Sequence, residues 1–125
     1  MKKTIALLCL LTAFAPACAS SGPPVASSQM TETEASIRSA ENAGAAGSAA
    51  ELLDRAQKAL AAARQASAKG EYDESRRLLE EAKAYAAAAE ARSNAEKLKK
   101  QAAEMRQQAD ELESKVKQLQ ERARP

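Results

Sequence analysis

Residues 72–124 constrain the fold of this chain most, because they contain neither proline nor glycine. Those two residues are the strongest local breaks in regular structure. Apolar side chains recur along this segment at steps of three and four, which is the spacing of one face of a helix. The sequence therefore predicts one long helix, against which any other element of the chain has to pack.

From residue 91 onward the apolar spacing is strict, as is typical of a coiled coil. Small residues lie along this predicted interaction seam between large ones, which are Leu98, Met105, Leu112, Val116 and Leu119. The charges beside the seam favour pairing within one helix, since the facing positions of a parallel dimer hold no opposite charges. Parallel and antiparallel pairing therefore both stay open, as does a seam that only meets solvent.

The sequence predicts that another helix of the same chain packs on the first half of the long helix. A helix over residues about 49–69 has its own apolar face, and a turn at Gly70 and Tyr72 leaves almost no linker before the long helix. Such a short connection predicts an antiparallel hairpin. The matching face of the long helix is predicted to comprise Ser75, Leu78, Ala82, Tyr85 and Ala89, flanked by Leu79 and Ala86. The hairpin is expected to end near residue 90, where the apolar stripe shifts by one residue.

A short helix over residues about 32–43 is predicted before the hairpin. Thr31 and Glu34 form a capping box at its start, and Gly44 is a natural end. A second capping box, at Ser48 and Glu51, is predicted to open the next helix.

The first 17 residues have the build of a secretory signal peptide. Lys2 and Lys3 precede an apolar core, and the small residues 15–17 come before Cys18. The core is too short to span a bilayer. Because the two lysines account for the formal net charge of +2, the rest of the chain is balanced and gives no reason to expect nucleic acid.

Cys18 is the predicted lipidation site. Together with the Ser/Gly/Pro-rich segment 19–24 it resembles the lipobox and tether of bacterial lipoproteins, which implies a covalent lipid on the sulfur. More than one acyl chain gives stable anchoring. Ala19 is not the inner-membrane-retaining Asp, which favours the periplasmic face of the outer membrane. The alternative is an ordinary signal-peptidase site at residues 15–17 or 17–19.

The composition argues against several kinds of site. The chain has no histidine, the usual near-neutral base and metal ligand, and a single cysteine outside the signal core. Aromatic residues make up 2% of the chain, too few for stacking on bases. Adjacent carboxylates such as Glu80 and Glu81 point about 100° apart on a helix, as on a solvated face. We therefore expect no catalytic residue, no metal and no cofactor apart from the lipid on Cys18.

Six short runs before residue 90, some of them rich in alanine, fall in the predicted helices and turns. They lie at residues 34–40, 44–45, 51–52, 56–60, 70–72 and 78–86. Over roughly residues 30–89 these runs resemble small bacterial envelope lipoproteins of the family called domain of unknown function 4398. The resemblance implies an exported α-helical lipoprotein without catalytic residues, and it makes association with peptidoglycan one option.

The expected fold is all-α, an antiparallel helical hairpin with a short N-terminal helix and a long coiled-coil-like C-terminal helix. The expected divisions are a signal peptide (1–17), Cys18 with a disordered tether (18–30), a hairpin domain (31–90) and a coiled-coil continuation (91–125). The expected function is that of a lipid-anchored spacer, tether or adaptor of the bacterial cell envelope, whose seam binds an envelope protein or its own copy. A soluble periplasmic binding or chaperone-like helical module without a lipid is the alternative.

Overall fold

The computed structural model describes residues 22–125, so the predicted signal peptide and Cys18 lie outside the described residues. Within that range there is no strand. The helices are α1 Ser27–Asn42, α2 Ala45–Ser48, α3 Ala50–Ala68 and α4 Tyr72–Arg122. Both α3 and α1 pack on the first half of α4, which has 51 residues. The predicted all-α fold, with a hairpin and one long helix, is confirmed.

Alanine supplies most of the core of this bundle of α1, α3 and the first half of α4. Ala56 and Ala63 of α3 and Ala82 and Ala86 of α4 are fully buried. Packed helices usually have their axes about 8–10 Å apart, and side chains this small allow a distance at the short end of that range. Leu79, 2% exposed, is the largest of the fully buried side chains and lies among these alanines.

The buried face of α4 agrees in part with the predicted face, since Ser75, Ala82 and Ala89 are buried as predicted, but its centre is displaced towards the predicted flank. Leu79 and Ala86 lie at its centre, whereas Leu78 and Tyr85 are half-buried at its edge. The prediction considered α3 as the one neighbour, but α1 also packs on α4, so the buried centre lies between the two. At the edge, the Arg55 guanidinium lies over the Tyr85 ring, 5.8 Å from its centroid, in a cation–π contact.

α1 begins earlier than predicted, at Ser27, so the end of the predicted disordered tether is helical. Val25 and Met30 pack against the core, and these apolar contacts hold the segment. The capping box predicted at Thr31 is wrong, because Thr31 Oγ1 donates to the carbonyl of Ser27 one turn earlier. That is how a hydroxyl behaves inside a helix.

The capping box predicted at Ser48 is also wrong. Ala49 precedes α3 with a φ of −146° and no side-chain cap. The Ser48 hydroxyl instead donates to Ser93 Oγ on α4 at 2.7 Å, and the Ser93 hydroxyl donates to the Ala89 carbonyl at 2.8 Å. The single turn α2, which lies between the two predicted helices, is therefore part of the bundle, and its Ala45 is fully buried.

Two glycines let the chain reverse direction. Gly44 and Gly70 have φ values of 86° and 79°, a left-handed conformation that favours glycine. After Gly70, the amide of Glu71 donates to the carbonyl of Ala66 at 2.9 Å and satisfies one of the last carbonyls of α3. Since Tyr72 already begins α4, α3 runs back antiparallel along it.

Charged pairs at the surface orient α1 on the other two helices. Arg64 of α3 contacts Glu34 at 2.6 Å, and Lys83 of α4 contacts Glu32 at 3.3 Å. In each pair one of the two side chains is more than half exposed, so the contribution of the pair is at most about 1 kcal/mol. The alanine core, rather than these pairs, holds the bundle together.

Candidate interaction seam

The bundle covers α4 only as far as Ser93. Ser93 is 1% exposed and is the last buried residue of α4, whereas every residue from 97 to 125 is exposed. At 1.5 Å per residue, α4 continues roughly 45 Å beyond Ser93. A long solitary part of a helix therefore projects from the bundle.

All five large side chains predicted for the interaction seam are exposed on this projecting part. They are Leu98, Met105, Leu112, Val116 and Leu119, with exposed fractions of 65%, 68%, 62%, 50% and 64%. Single exposed leucines are common on protein surfaces. A continuous strip of them is not, and such strips usually mark interaction sites.

The seam lies on the side of α4 opposite to the bundle. Ala91 and Ala95, at the start of the seam, are exposed, while Ser93 between them is buried. Each alanine lies two residues from Ser93, and at about 100° per residue this places both about 160° around the helix from it. The sequence predicted a smaller shift, because the face that it predicted included Leu78 and Tyr85, which lie at the edge of the buried face. Contacts made by the seam therefore do not compete with those of α3.

The seam also extends further towards the start of α4 than predicted. Ala84 and Ala88 are exposed and continue the steps of three and four that lead through Ala91 and Ala95 to Leu98. This signal was present in the sequence. It was missed because residues before 90 were interpreted only as half of the hairpin.

Charged side chains beside the seam pair along their own helix. Lys99 contacts Glu96 at 3.0 Å, and Lys117 contacts Glu113 at 2.7 Å. The hydrogen bond from Lys99 lowers the pKa of Glu96 below its usual value. Pairs of this spacing stabilise a single helix by a few tenths of a kcal/mol, roughly 0.2–0.5 each. They help α4 to stay helical where no neighbour covers it.

Residues 22–125 offer little for other kinds of site. Within that range no three His, Cys, Asp or Glu side chains lie together as metal ligands would. No helix of the described part combines the length and the apolar character needed to cross a membrane. A shallow cleft between α2 and α4 is lined by Gly44, Ser93 and Lys97 among others. Since solvent-exposed charges border this cleft, the seam stays the most distinctive surface of the described residues.

This fold and this seam define a class of small all-α protein, in which a helical bundle carries a projecting helix with an exposed apolar strip. The chain belongs to the family described as a domain of unknown function, DUF4398, whose model matches residues 28–105. The matched segment starts with α1 and ends at Met105, so it includes the first part of the seam and exceeds the predicted range of about 30–89. Searches of curated proteins and of solved structures gave no match.

Proposed function

We propose that this chain is a lipid-anchored helical protein of the bacterial cell envelope that acts as a spacer, tether or adaptor. The observation that carries the proposal is the strip from Leu98 to Leu119, which stays exposed on a helix that nothing else in the described chain covers. Five large apolar side chains in line suit binding to another helix as a coiled coil. The proposed role is one of position and contact and needs no catalytic group.

Contacts at the other end of α4 support an anchor far from the seam. The amide of Gly22 donates to Asp73 Oδ2 at 3.3 Å, and Arg76 Nη1 donates to the carbonyl of Pro23 at 2.7 Å. The chain thus enters the bundle beside the first turn of α4. A lipid on Cys18, four residues before Gly22, would then lie near this turn, and α4 would extend roughly 75 Å from it.

The proposed location is the periplasmic face of the outer membrane, with peptidoglycan as a further contact. Growth of cells with a clickable fatty acid tests the anchor. We expect label on the wild-type chain and none on Cys18→Ala. Label that is absent from the wild type, or undiminished in the variant, would exclude the anchor and favour the alternative of a soluble periplasmic binding or chaperone-like module, which the small residues 15–17 support.

Substitutions in the seam test the contact role separately. Leu112→Ala and Met105→Lys are expected to weaken association and to leave the helix content of the monomer almost unchanged, because both side chains are exposed. Gln107→Ala, on the opposite side of the same helix, serves as the matched control. If the protein stays monomeric at every concentration, and no partner is captured from cells by crosslinkers placed at Leu98 or Leu112, the contact role is wrong.

A further inference from the structure

We infer that the seam binds the seam of a second copy of this chain, antiparallel, with Ala109 of each copy facing Leu112 of the other. This inference deepens the contact part of the proposed function and does not depend on the lipid. It rests on the sizes of the seam residues, on the charges that flank them and on the position of the bundle along α4.

Side-chain size favours antiparallel pairing. The seam has alanine at its a positions, such as Ala102 and Ala109, except for Val116, and it has large residues at its d positions, such as Leu112 and Leu119. In a parallel dimer each position faces its own equivalent, so as far as Leu112 all-alanine layers would alternate with layers of two leucines or two methionines. In an antiparallel pair every a residue faces a d residue. The layers are then Leu98 with Ala123, Ala102 with Leu119, Met105 with Val116, and Ala109 with Leu112, each occurring twice.

Each of these layers joins a larger side chain to a smaller one, so the distance between the two helices stays nearly constant. Close packing at constant distance is what protein interiors require. Alternating all-alanine layers with layers of two leucines or two methionines would instead leave gaps at one level and crowd the next. When two copies run in opposite directions, the larger residues of one seam thus meet the smaller residues of the other.

The flanking charges select the same register. In an antiparallel coiled coil the e positions of one helix face the e positions of the other. Here Arg106 faces Glu113 of the second copy, and symmetry repeats the pair, while Lys99 faces the neutral Gln120. Facing g positions join Gln108 with Lys115 and therefore oppose no like charges. Opposite charges at such flanks set partner and orientation in coiled coils.

Registers shifted by one heptad bring like charges together. A shift in one direction places Arg106 against Arg106, although it also pairs Lys99 with Glu113. A shift in the other direction places Glu113 against Glu113. Parallel pairing joins no opposite charges at these flanks. The register with Ala109 facing Leu112 is therefore the one that gains attraction without repulsion.

The bundle leaves room for this partner. All paired residues lie beyond Ser93, the last buried residue of α4, and the seam faces away from α3. The two bundles then lie at opposite ends of a rod. In this register the two Asp73 turns are separated by the rise of 75 helical residues, roughly 110 Å. A lipid near each Asp73 would make this rod a tether with an anchor at both ends.

Disulfide trapping in cells tests the pairing with the full chain. Two differently tagged copies are expressed together, one with Ala102→Cys and one with Leu119→Cys, and the cells are treated with a mild oxidant. The two new cysteines share a layer in the inferred pair. Two Ala102→Cys side chains lie about 25 Å apart, far beyond the roughly 7 Å between Cα atoms that a disulfide tolerates. We expect the mixed disulfide to exceed the Ala102→Cys homodimer on the order of tenfold.

The controls distinguish the inferred pair from other ways of pairing and from other binding partners of the seam. A tagged pair without added cysteines measures any contribution of Cys9 and Cys18. A dominant Ala102→Cys homodimer would mean parallel pairing, and a dominant disulfide between Ala102→Cys and Leu112→Cys would mean the shifted register; either result overturns the inference. If no dimer is trapped and a different envelope protein is crosslinked at the seam, the partner is not a second copy. The inference is then overturned, while the proposed function stands.

Charge reversal provides an independent readout of the same register. Arg106→Glu in both copies opposes two pairs of like charges and is expected to lower trapping several-fold, and adding Glu113→Arg to both copies is expected to restore it. Glu113→Arg alone is measured as well, because this change also removes the contact with Lys117. Lys100→Glu, about two turns before Arg106 and facing away from the partner, is expected to change nothing. Failure of the double variant to recover would contradict the facing of Arg106 and Glu113.

Discussion

The two halves of α4 place similar apolar residues in opposite surroundings. In the first half, Ala82, Ala86 and Ala89 are fully buried beside α3 and α1. In the second half, larger side chains such as Leu98 and Leu112 are almost two-thirds exposed. A buried methyl contributes about 0.8 kcal/mol, and an exposed leucine contributes almost nothing to the monomer. The comparison teaches that the covering helix, and not the apolarity of the residue, decides where the core lies.

The polar residues of the two halves differ in the same way. Ser75 of the first half is fully buried, and its hydroxyl donates to the carbonyl of Ala63 on α3 at 2.8 Å. Within the described residues, no buried polar side-chain atom lacks a partner. In the second half the polar groups face water and pair along their own helix. The first half thus depends on particular contacts between helices, whereas the second depends on local ones.

The largest expected effect compares one substitution in both halves. Leu79→Ala opens a cavity in the alanine core and should lower the free energy of unfolding by about 2–5 kcal/mol. Leu112→Ala, the matched control, removes a side chain that is 62% exposed and should change it by less than about 0.5 kcal/mol. Urea unfolding followed by circular dichroism, at a concentration where the chain is monomeric, measures both. Similar losses from the two variants would contradict the division of α4.

Gly70→Ala should have the next largest effect. With a φ of 79°, residue 70 is left-handed, a conformation that costs a residue with a side chain about 1–2 kcal/mol. Gly47→Ala is the control: it lies in α2, has open space around its Cα, and should be neutral or stabilising by up to about 1 kcal/mol. Thermal unfolding of the two variants checks the difference. Equal midpoints would show that the reversal between α3 and α4 does not need glycine.

A smaller loss is expected for Ser75→Ala. The variant removes the buried hydrogen bond to the carbonyl of Ala63, which is worth about 1 kcal/mol. Ser36→Ala removes an exposed bond to the carbonyl of Glu32 one turn earlier, and there alanine's better helix propensity should offset the loss. Chemical unfolding measures the two free energies. A loss at Ser36 as large as that at Ser75 would mean that burial does not distinguish the two hydroxyls.

Much of this fold follows from the sequence because two patterns are local. The absence of proline and glycine in residues 72–124 fixes one long helix, and the positions of Gly44 and Gly70 fix the reversals. The exposure of Leu98 and its neighbours follows as well, since α3 is too short to reach them. These features need no knowledge of how α1 is placed.

The features that sequence reasoning missed depend on tertiary contacts. Ser48 looks like a helix cap, but its hydroxyl is drawn to Ser93, which lies 45 positions away in the chain. Thr31 looks like a cap because the helix was expected to start there, whereas contacts of Val25 and Met30 with the core extend α1 backwards. The orientation of the seam relative to the bundle was missed for the same reason, since it depends on two helices packing on α4 together.

The smallest expected effect lies at the first turn of α4, where the chain enters the bundle. The Gly22 amide, and next to it the Arg76 guanidinium, hold the pKa of Asp73 below its usual value of about 4. Because the pKa is lowered, the contact is fully present above that value and is lost as the pH falls through the lowered pKa. The Gly22 amide resonance, followed by NMR, should therefore titrate below about pH 4 in the wild type. Asp73→Asn should abolish this titration, and Asp54→Asn, at an exposed position of α3, should leave it unchanged. A titration midpoint at or above about pH 4 would show that Gly22 does not contact Asp73. The chain would then be free to place an anchor elsewhere than beside the start of α4.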